Sequence, residues 1–189
     1  LDVLAAHCIH LSNVEMSLLA RRGVCVAYNP VVNMKLGMGV PRVDEFLRLG
    51  VTVGIGTDGP ASNNTLDMFE SVKAAALLQK VSCKDPRVLP AETVLRMATI
   101  DGARALGLEK VVGSLEVGKR ADLILVDFDK PHLIPRHNLY ANLVYSARGS
   151  DVDTVIVDGK ILMEGRQVKT LNEAEVMQKA QRTAQNLVA

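Results

Sequence analysis

Three apolar runs, each stopping on a polar residue, constrain this chain more than any other feature. Residues 1–6 run Leu-Asp-Val-Leu-Ala-Ala into His7, Val24 to Tyr28 run into Asn29, and Val51 to Thr57 run into Asp58. Near-continuous β-branched and small apolar runs suit strands buried on both faces, as in parallel sheets. Polar groups confined to the points where such strands stop form the rim on which α/β active sites are built. An imidazole, a carboxamide and a carboxylate then share one rim, which points to chemistry.

The segments between the strands carry helix signals. Ser12-Asn13-Val14-Glu15 reads as a capping box for a helix over 14–22 that Gly23 stops. A loop of about 13 residues, 29–41, is expected next, and a loop that long is usually functional. A short helix over 42–49 ends at Gly50. The order is therefore β-α-β-α-β, with parallel strands joined by right-handed crossovers. Two more helices are expected, over 66–81 with Asn63-Asn64-Thr65 as cap and over 91–106 behind Pro90, stopping at Gly107.

Beyond residue 108 the pattern changes. Runs 123–126 and 154–157 read as short strands, and Asp158-Gly159 ahead of Ile161-Leu162-Met163 is a two-residue hairpin signal. Thr170-Leu171-Asn172-Glu173 caps a last helix with Val176, Ala180, Leu187 and Val188 on its apolar face. The expected division is a parallel βα piece over 1–108 and an antiparallel piece over 109–189.

Composition narrows the function. With a net charge of +1, 48% hydrophobic and 23% charged residues, the chain is globular and has no basic stripe interleaved with aromatics. Nucleic acid and acidic membrane are excluded as expected partners, and no apolar run reaches the roughly 18 residues of a membrane span. Cys8, Cys25 and Cys83 are odd in number and read as reduced core thiols of a cytoplasmic protein. The chain has no initiator Met and residue 1 already lies in a strand, so it is expected to be the carboxyl-terminal part of a longer protein. Self-association is left open.

Gly54 to Gly59 matches G-x-G-x-x-G literally. A dinucleotide site is disfavoured because Asp58 would set a carboxylate against the pyrophosphate. The acid expected about 20 residues on is also missing around Leu77-Leu78-Gln79. Asp58 before Gly59 suits a simple turn, but an acid delivered to a sheet rim is costly unless it meets a cation, and a divalent metal is the simplest one. His7 and His10 cannot share a helical face, since the capping box starts the helix after them; His7 is taken as the chemical one and His10 as orienting the turn. His132 and His137 lie in a polar, Pro-flanked loop and are expected to face solvent.

The stretches His7-Cys8-Ile9-His10-Leu11, Asn29-Pro30 with Asn33-Met34-Lys35-Leu36-Gly37, and Gly56-Thr57-Asp58-Gly59-Pro60-Ala61-Ser62-Asn63-Asn64 resemble the amidohydrolase superfamily. Within it they are most similar to the methylthioadenosine/S-adenosylhomocysteine deaminase and chlorohydrolase branch. Residues 113–123 resemble that family's entry into an accessory β-sandwich, and 155–160 its closing hairpin. The resemblance implies an α/β fold: the last three strands of a (β/α)8 metal-dependent hydrolase barrel, plus part of an antiparallel β-sandwich. It implies hydrolytic deamination of an adenosine-type or other heteroaromatic amine. Asp58 would be both catalytic and a ligand of one divalent metal, Zn²⁺ or Fe²⁺, and His7 would be catalytic. The loop over 29–41 leaves the same rim as His7 and Asp58, so Asn29 and Asn33, with Ser62, are expected to bind a small-molecule substrate at a ring edge, with Lys35 reaching an anionic tail; the alternative is that both asparagines only stabilise the turn.

The family's first-strand His-x-His pair, fifth-strand histidine and nearby glutamate have no counterpart among the four histidines here, so a missing amino-terminal segment or a complementary chain is the implied partner. Tyr28 and Val32 stand where relatives often carry His and Ser. Guanine deamination, dechlorination and a catalytically dead assembly module stay open beside deamination of an adenosine.

Overall fold

A computed structural model describes residues 3–188. Two units are resolved by their internal packing: Leu1–Lys119 with Phe128–Gly149, and Arg120–Asp127 with Ser150–Ala189. In this grouping, residues 109–119 and 128–149 pack with the parallel sheet.

The first unit holds a three-stranded parallel sheet in the order β1 (Leu4–Ala6), β2 (Cys25–Tyr28), β3 (Val53–Ile55). Ala6 pairs with Ala27, and Ala27 with Gly54. The Leu1-Asp2 start of the expected first strand lies outside the described residues. Helix α1 (Asn13–Arg21) opens on Ser12, whose hydroxyl accepts from the Glu15 amide while the Glu15 carboxylate accepts from the Ser12 amide. The expected capping box is present, and two amides that the first helical turn would leave unpaired are satisfied.

The stretch 29–41 is only partly a loop. Residues Pro30–Lys35 form α2, and a left-handed Gly37 follows its end. Pro at the first helical position has its φ preset and loses no hydrogen bond there, so Asn-Pro opens a helix at this site where its composition suggested a turn. Helix α3 (Val43–Arg48) leads to β3, and a short α4 (Pro60–Asn63) follows the strand. Helix α5 (Met68–Cys83) is capped by Asp67, which accepts from the amides of Phe69 and Glu70; the expected cap at 63–65 instead closes α4, and Thr65 donates to Glu70.

The expected helix over 91–106 is two helices, α6 (Ala91–Met97) and α7 (Ile100–Ala105). Thr99 lies at the break with φ −127° and ψ −102°, and its hydroxyl donates to the Leu95 carbonyl at 2.8 Å, a local bond that competes with helix continuation. The break lets α7 close on β3: a Cβ on Gly54 would stand 3.0 Å from the Gly102 Cα, while a Cβ on Gly102 would meet the Met97 carbonyl oxygen at 3.1 Å. Helix α8 (Leu139–Ala141) continues as a π-helical turn over Asn142–Ser146.

The core of this unit is apolar and closed around the sheet. Met16, Val26, Phe46, Val53, Val72, Ala75, Val94, Met97 and Val144 are buried together, each large side chain contributing about 1.5–3 kcal/mol. Cys8 and Cys25 are half-buried and Cys83 is exposed, and all three are free. Cys8 packs against this core and burial pushes its thiol upward, whereas exposed Cys83 is not a core residue.

The second unit is an antiparallel sheet in the order β4 (Leu123–Val126), β5 (Val152–Val157), β6 (Lys160–Glu164), β7 (Gln167–Val168). Asp158 and Gly159 join β5 to β6, both with positive φ (52° and 74°), as the twist of a tight hairpin demands. Helix α9 (Glu173–Val188) is capped two residues later than expected, by Asn172, whose side chain accepts from the Glu175 amide at 3.2 Å. Its Val176, Met177 and Leu187 are exposed, and the Val188 side chain lies outside the described residues. Among the described residues no helix is long and apolar enough to cross a membrane.

Candidate active site

The parallel register aligns the strand ends. One residue past β1, the His7 amide donates to the Ala27 carbonyl at 2.9 Å, and one residue past β3 the Gly56 amide donates to the Tyr28 carbonyl at 2.9 Å. The ladder therefore runs up to the rim and stops there, putting His7, Asn29 and the Gly56–Asp58 turn side by side.

His7 and Asp58 both take the left-handed backbone conformation, with φ of 64° and 63°, and Cys8 follows at 49°. A non-glycine residue held there costs on the order of 1–3 kcal/mol and persists only when its surroundings enforce it. Here the enforcing bonds are local. The Cys8 amide donates to the Ala6 carbonyl at 2.8 Å, the Gly59 amide donates to Asp58 Oδ1 at 2.6 Å, and Asn63 Nδ2 donates to the Thr57 carbonyl at 2.7 Å. The strain aims both side chains out of their strands toward one point.

There His7 Nε2 stands 3.4 Å from Asp58 Oδ2, with the side chains 25% and 32% exposed, open enough for water and substrate. On the other side of the ring, His7 Nδ1 lies 2.8 Å from Asn33 Oδ1. Asn33 comes from α2 and is 1% exposed. His7, Asp58 and Asn33 are thus brought together in one row, His7 within hydrogen-bond distance of Asn33 and facing Asp58. Asn29, 6% exposed, packs its Oδ1 against the Cα of Gly56, where any Cβ would overlap it. Ser62 is half-buried, and its hydroxyl donates to the Gly59 carbonyl at 3.1 Å. Lys35 donates to Asn64, and His10 is exposed with its ring edge 3.8 Å from a Cβ placed on Gly39. His132 lines a different cleft of about 390 Å³ with Asp67, Glu70, Lys73 and Arg148, and His137 is exposed.

Gln79 was not legible as a site residue. It is 1% exposed on the buried face of α5, and its Nε2 donates to the Pro41 carbonyl at 2.8 Å and to the Tyr28 hydroxyl at 3.3 Å. The signal was a polar residue at i+3 and i+4 from Ala76 and Ala75, inside an otherwise apolar helix face. The bond braces the strand end that delivers Asn29.

Tyr28 is fully buried, and burial pushes its hydroxyl up to about 12, partly offset by the bond from Gln79. Its folded value is raised above the unfolded value of about 10, so the stability is intact below pH ~10 and is lost as pH rises toward ~12. About 2–3 kcal/mol disappears over that window. Denaturant unfolding from pH 9 upward should show this loss, and a Tyr28→Phe variant should lack it; equal losses in both proteins would refute the assignment.

Among the described residues no group of three or more His, Cys, Asp or Glu side chains is placed to hold a metal ion. The rim offers the carboxylate of Asp58 with His7 beside it.

Residues 1–162 match the profile of the amidohydrolase family. The chain belongs to that family. It is 59% identical, over 98% of its own length, to a 5-methylthioadenosine/S-adenosylhomocysteine deaminase of Desulforudis audaxviator. It is 53% identical over its whole length to a 5'-deoxyadenosine deaminase of Methanosarcina acetivorans. This amidohydrolase chain spans 43% of the length of each of these relatives. Its fold superposes with a TM-score of 0.94 and 39% identity on an adenosine deaminase from Xanthomonas campestris solved with bound zinc, over 97% of this chain and 42% of that one. The mixed α/β fold is thus an amidohydrolase fold.

Proposed function

We propose that this chain is the carboxyl-terminal part of a zinc-dependent amidohydrolase that deaminates adenosine-type compounds. In this reading β1 to β3 are the last three strands of a (β/α)8 barrel, a fold that takes about 250 residues, and the antiparallel unit is part of an accessory sandwich. The expected pieces 1–108 and 109–189 then correspond to barrel and sandwich portions. The observation that carries the reading is the His7–Asp58 pair, held 3.4 Å apart at two strand ends in enforced left-handed backbone.

The residues fit a divalent cation in part. Asp58 would hold it, and since catalytic zinc takes about three protein ligands, the rest come from outside this chain, from an amino-terminal segment or a complementary chain. When bound, the cation lowers the pKa of its water to about 7 and so supplies a nucleophile at neutral pH.

Every other step belongs to side chains. Asp58 Oδ2 accepts one proton of the attacking water and delivers it to the ring nitrogen, while His7 Nε2, 3.4 Å away, takes up the second and passes it to the departing amine. Water is added across the ring carbon, the C–N bond breaks, and ammonia leaves with the keto tautomer as product. Asn29 and Ser62 lie where they can meet the substrate's polar edges, and Lys35 an anionic tail. Free thiols at Cys8, Cys25 and Cys83 support a reducing, cytoplasmic setting.

The test is a panel offered to the longer protein loaded with Zn²⁺: adenosine, 5'-methylthioadenosine, S-adenosylhomocysteine, 5'-deoxyadenosine, guanine and a chlorotriazine. Ammonia release from the adenosine compounds is expected. Turnover of guanine or of the triazine alone would move the assignment to guanine deamination or dechlorination. No turnover of any would favour an assembly module, the reading that an incomplete ligand set by itself suits. An upstream sequence without His-x-His would favour it too.

A further inference from the structure

The nitrogen of His7 that faces the reaction is decided on the far side of its ring. Asn33 Oδ1 lies 2.8 Å from Nδ1, and a carboxamide oxygen only accepts, so Nδ1 carries the hydrogen. The neutral ring then presents a bare Nε2 toward Asp58 Oδ2. The 3.4 Å between those atoms agrees, since a direct N–H···carboxylate bond would draw in to about 2.7–2.9 Å. The gap is too short to admit another heavy atom between the two lone pairs, so a donor reaches them from the open side, beside the pair.

Asn33 is built to hold this position. Its amide donates to the Asn29 carbonyl at 3.1 Å, and its carbonyl accepts from Met38 at 2.9 Å, which fixes α2 beside the strand end. Its side chain is 1% exposed, next to an equally buried Val32. Its Nδ2 is buried with no hydrogen-bond partner, a sacrifice of about 1–3 kcal/mol. Among the described residues, the one side-chain hydrogen bond this buried carboxamide makes is the one to His7.

We propose that Asn33 is a positioning residue that fixes His7 as its Nδ1–H tautomer, so that bare Nε2 accepts a hydrogen bond from the water or exocyclic amine entering beside Asp58. The inference rests on the reading of His7 as the residue that handles the leaving amine. Its experiment reads the tautomer directly, so either claim can fail without the other.

In protein labelled with ¹⁵N-histidine, long-range ¹H–¹⁵N spectra of the neutral His7 ring should show a pyrrole-type Nδ1 and a pyridine-type Nε2. In Asn33→Ala the ring should relax to the free-imidazole mixture, in which Nε2–H dominates, while Asn33→Asp keeps the Nδ1–H form. In the longer protein, Asn33→Ala should lower kcat about tenfold with KM changed much less, and Asn33→Asp should recover most of the loss. An Nε2–H tautomer in the unmutated protein overturns the proposal, as does an Asn33→Ala ring still held as Nδ1–H. If Asn33→Ala fails to fold, the unmutated tautomer and the Asn33→Asp kinetics still decide.

Discussion

Replacing Asp58 by Asn in the longer protein should lower kcat/KM for deamination of an adenosine compound by about 10⁴-fold and strip the divalent cation. Asn is the informative choice because the site is conformationally strained. Asp58 sits at φ 63°, where Asn is among the few non-glycine residues tolerated. Its carboxamide oxygen can still accept from the Gly59 amide, as Asp58 Oδ1 does at 2.6 Å. The backbone is therefore kept while the charge and, with it, the proposed ligand and proton acceptor are removed together. Asp58→Ala should behave alike in activity but lose up to about 1 kcal/mol more stability, since Ala has no side chain to support the left-handed turn. Metal content after gel filtration and steady-state kinetics check both. An Asp58→Asn enzyme that keeps its metal and stays within tenfold of normal activity would remove Asp58 from the centre of the mechanism.

How far the sequence alone reached is best judged at particular residues. Apolar runs ending on His7, Asn29 and Asp58 were enough to place three strands in parallel and their ends on one rim, because β-branched continuity and a terminal polar residue are local patterns. The capping box at Ser12 and the Asp158-Gly159 hairpin were equally local, and both are present. What depends on distant partners was not legible. The break at Thr99 arises where α7 closes on β3 through Gly54 and Gly102, a contact across 48 residues. The length of the expected loop over 29–41 came from counting Gly, Asn and Pro, whereas Pro30 in fact opens a helix.

That helix changes how Asn33 is read. From sequence, Asn33 looked able to meet a substrate ring edge. With α2 formed, its oxygen is spent on His7 and the residue is buried, which shifts it toward support of the His7 ring. Likewise, nothing in the residue types of His7 and Asp58 announces a positive φ. Strain of this kind is a property of the closed structure, and its appearance at the two residues already singled out for chemistry ties the backbone to the proposed function.

The same strain shapes the counterpart experiment on His7. At φ 64°, His7→Asn keeps a side chain that tolerates the left-handed region, so loss of the ring is separated from loss of the backbone conformation. The expected result is a fall in kcat of about 10²–10³-fold, the scale of a lost general acid–base group, with the divalent cation retained at full stoichiometry. Retention follows from the proposed division of labour: Asp58 ligates, while His7, 3.4 Å away and held from behind by Asn33, moves the proton. Unfolding free energy should change by less than about 1 kcal/mol, since His7 is only partly buried and its amide bond to the Ala27 carbonyl survives the substitution. Loss of the metal in His7→Asn would recast His7 as a ligand, and activity within threefold of normal would show that the leaving amine takes its proton from another residue.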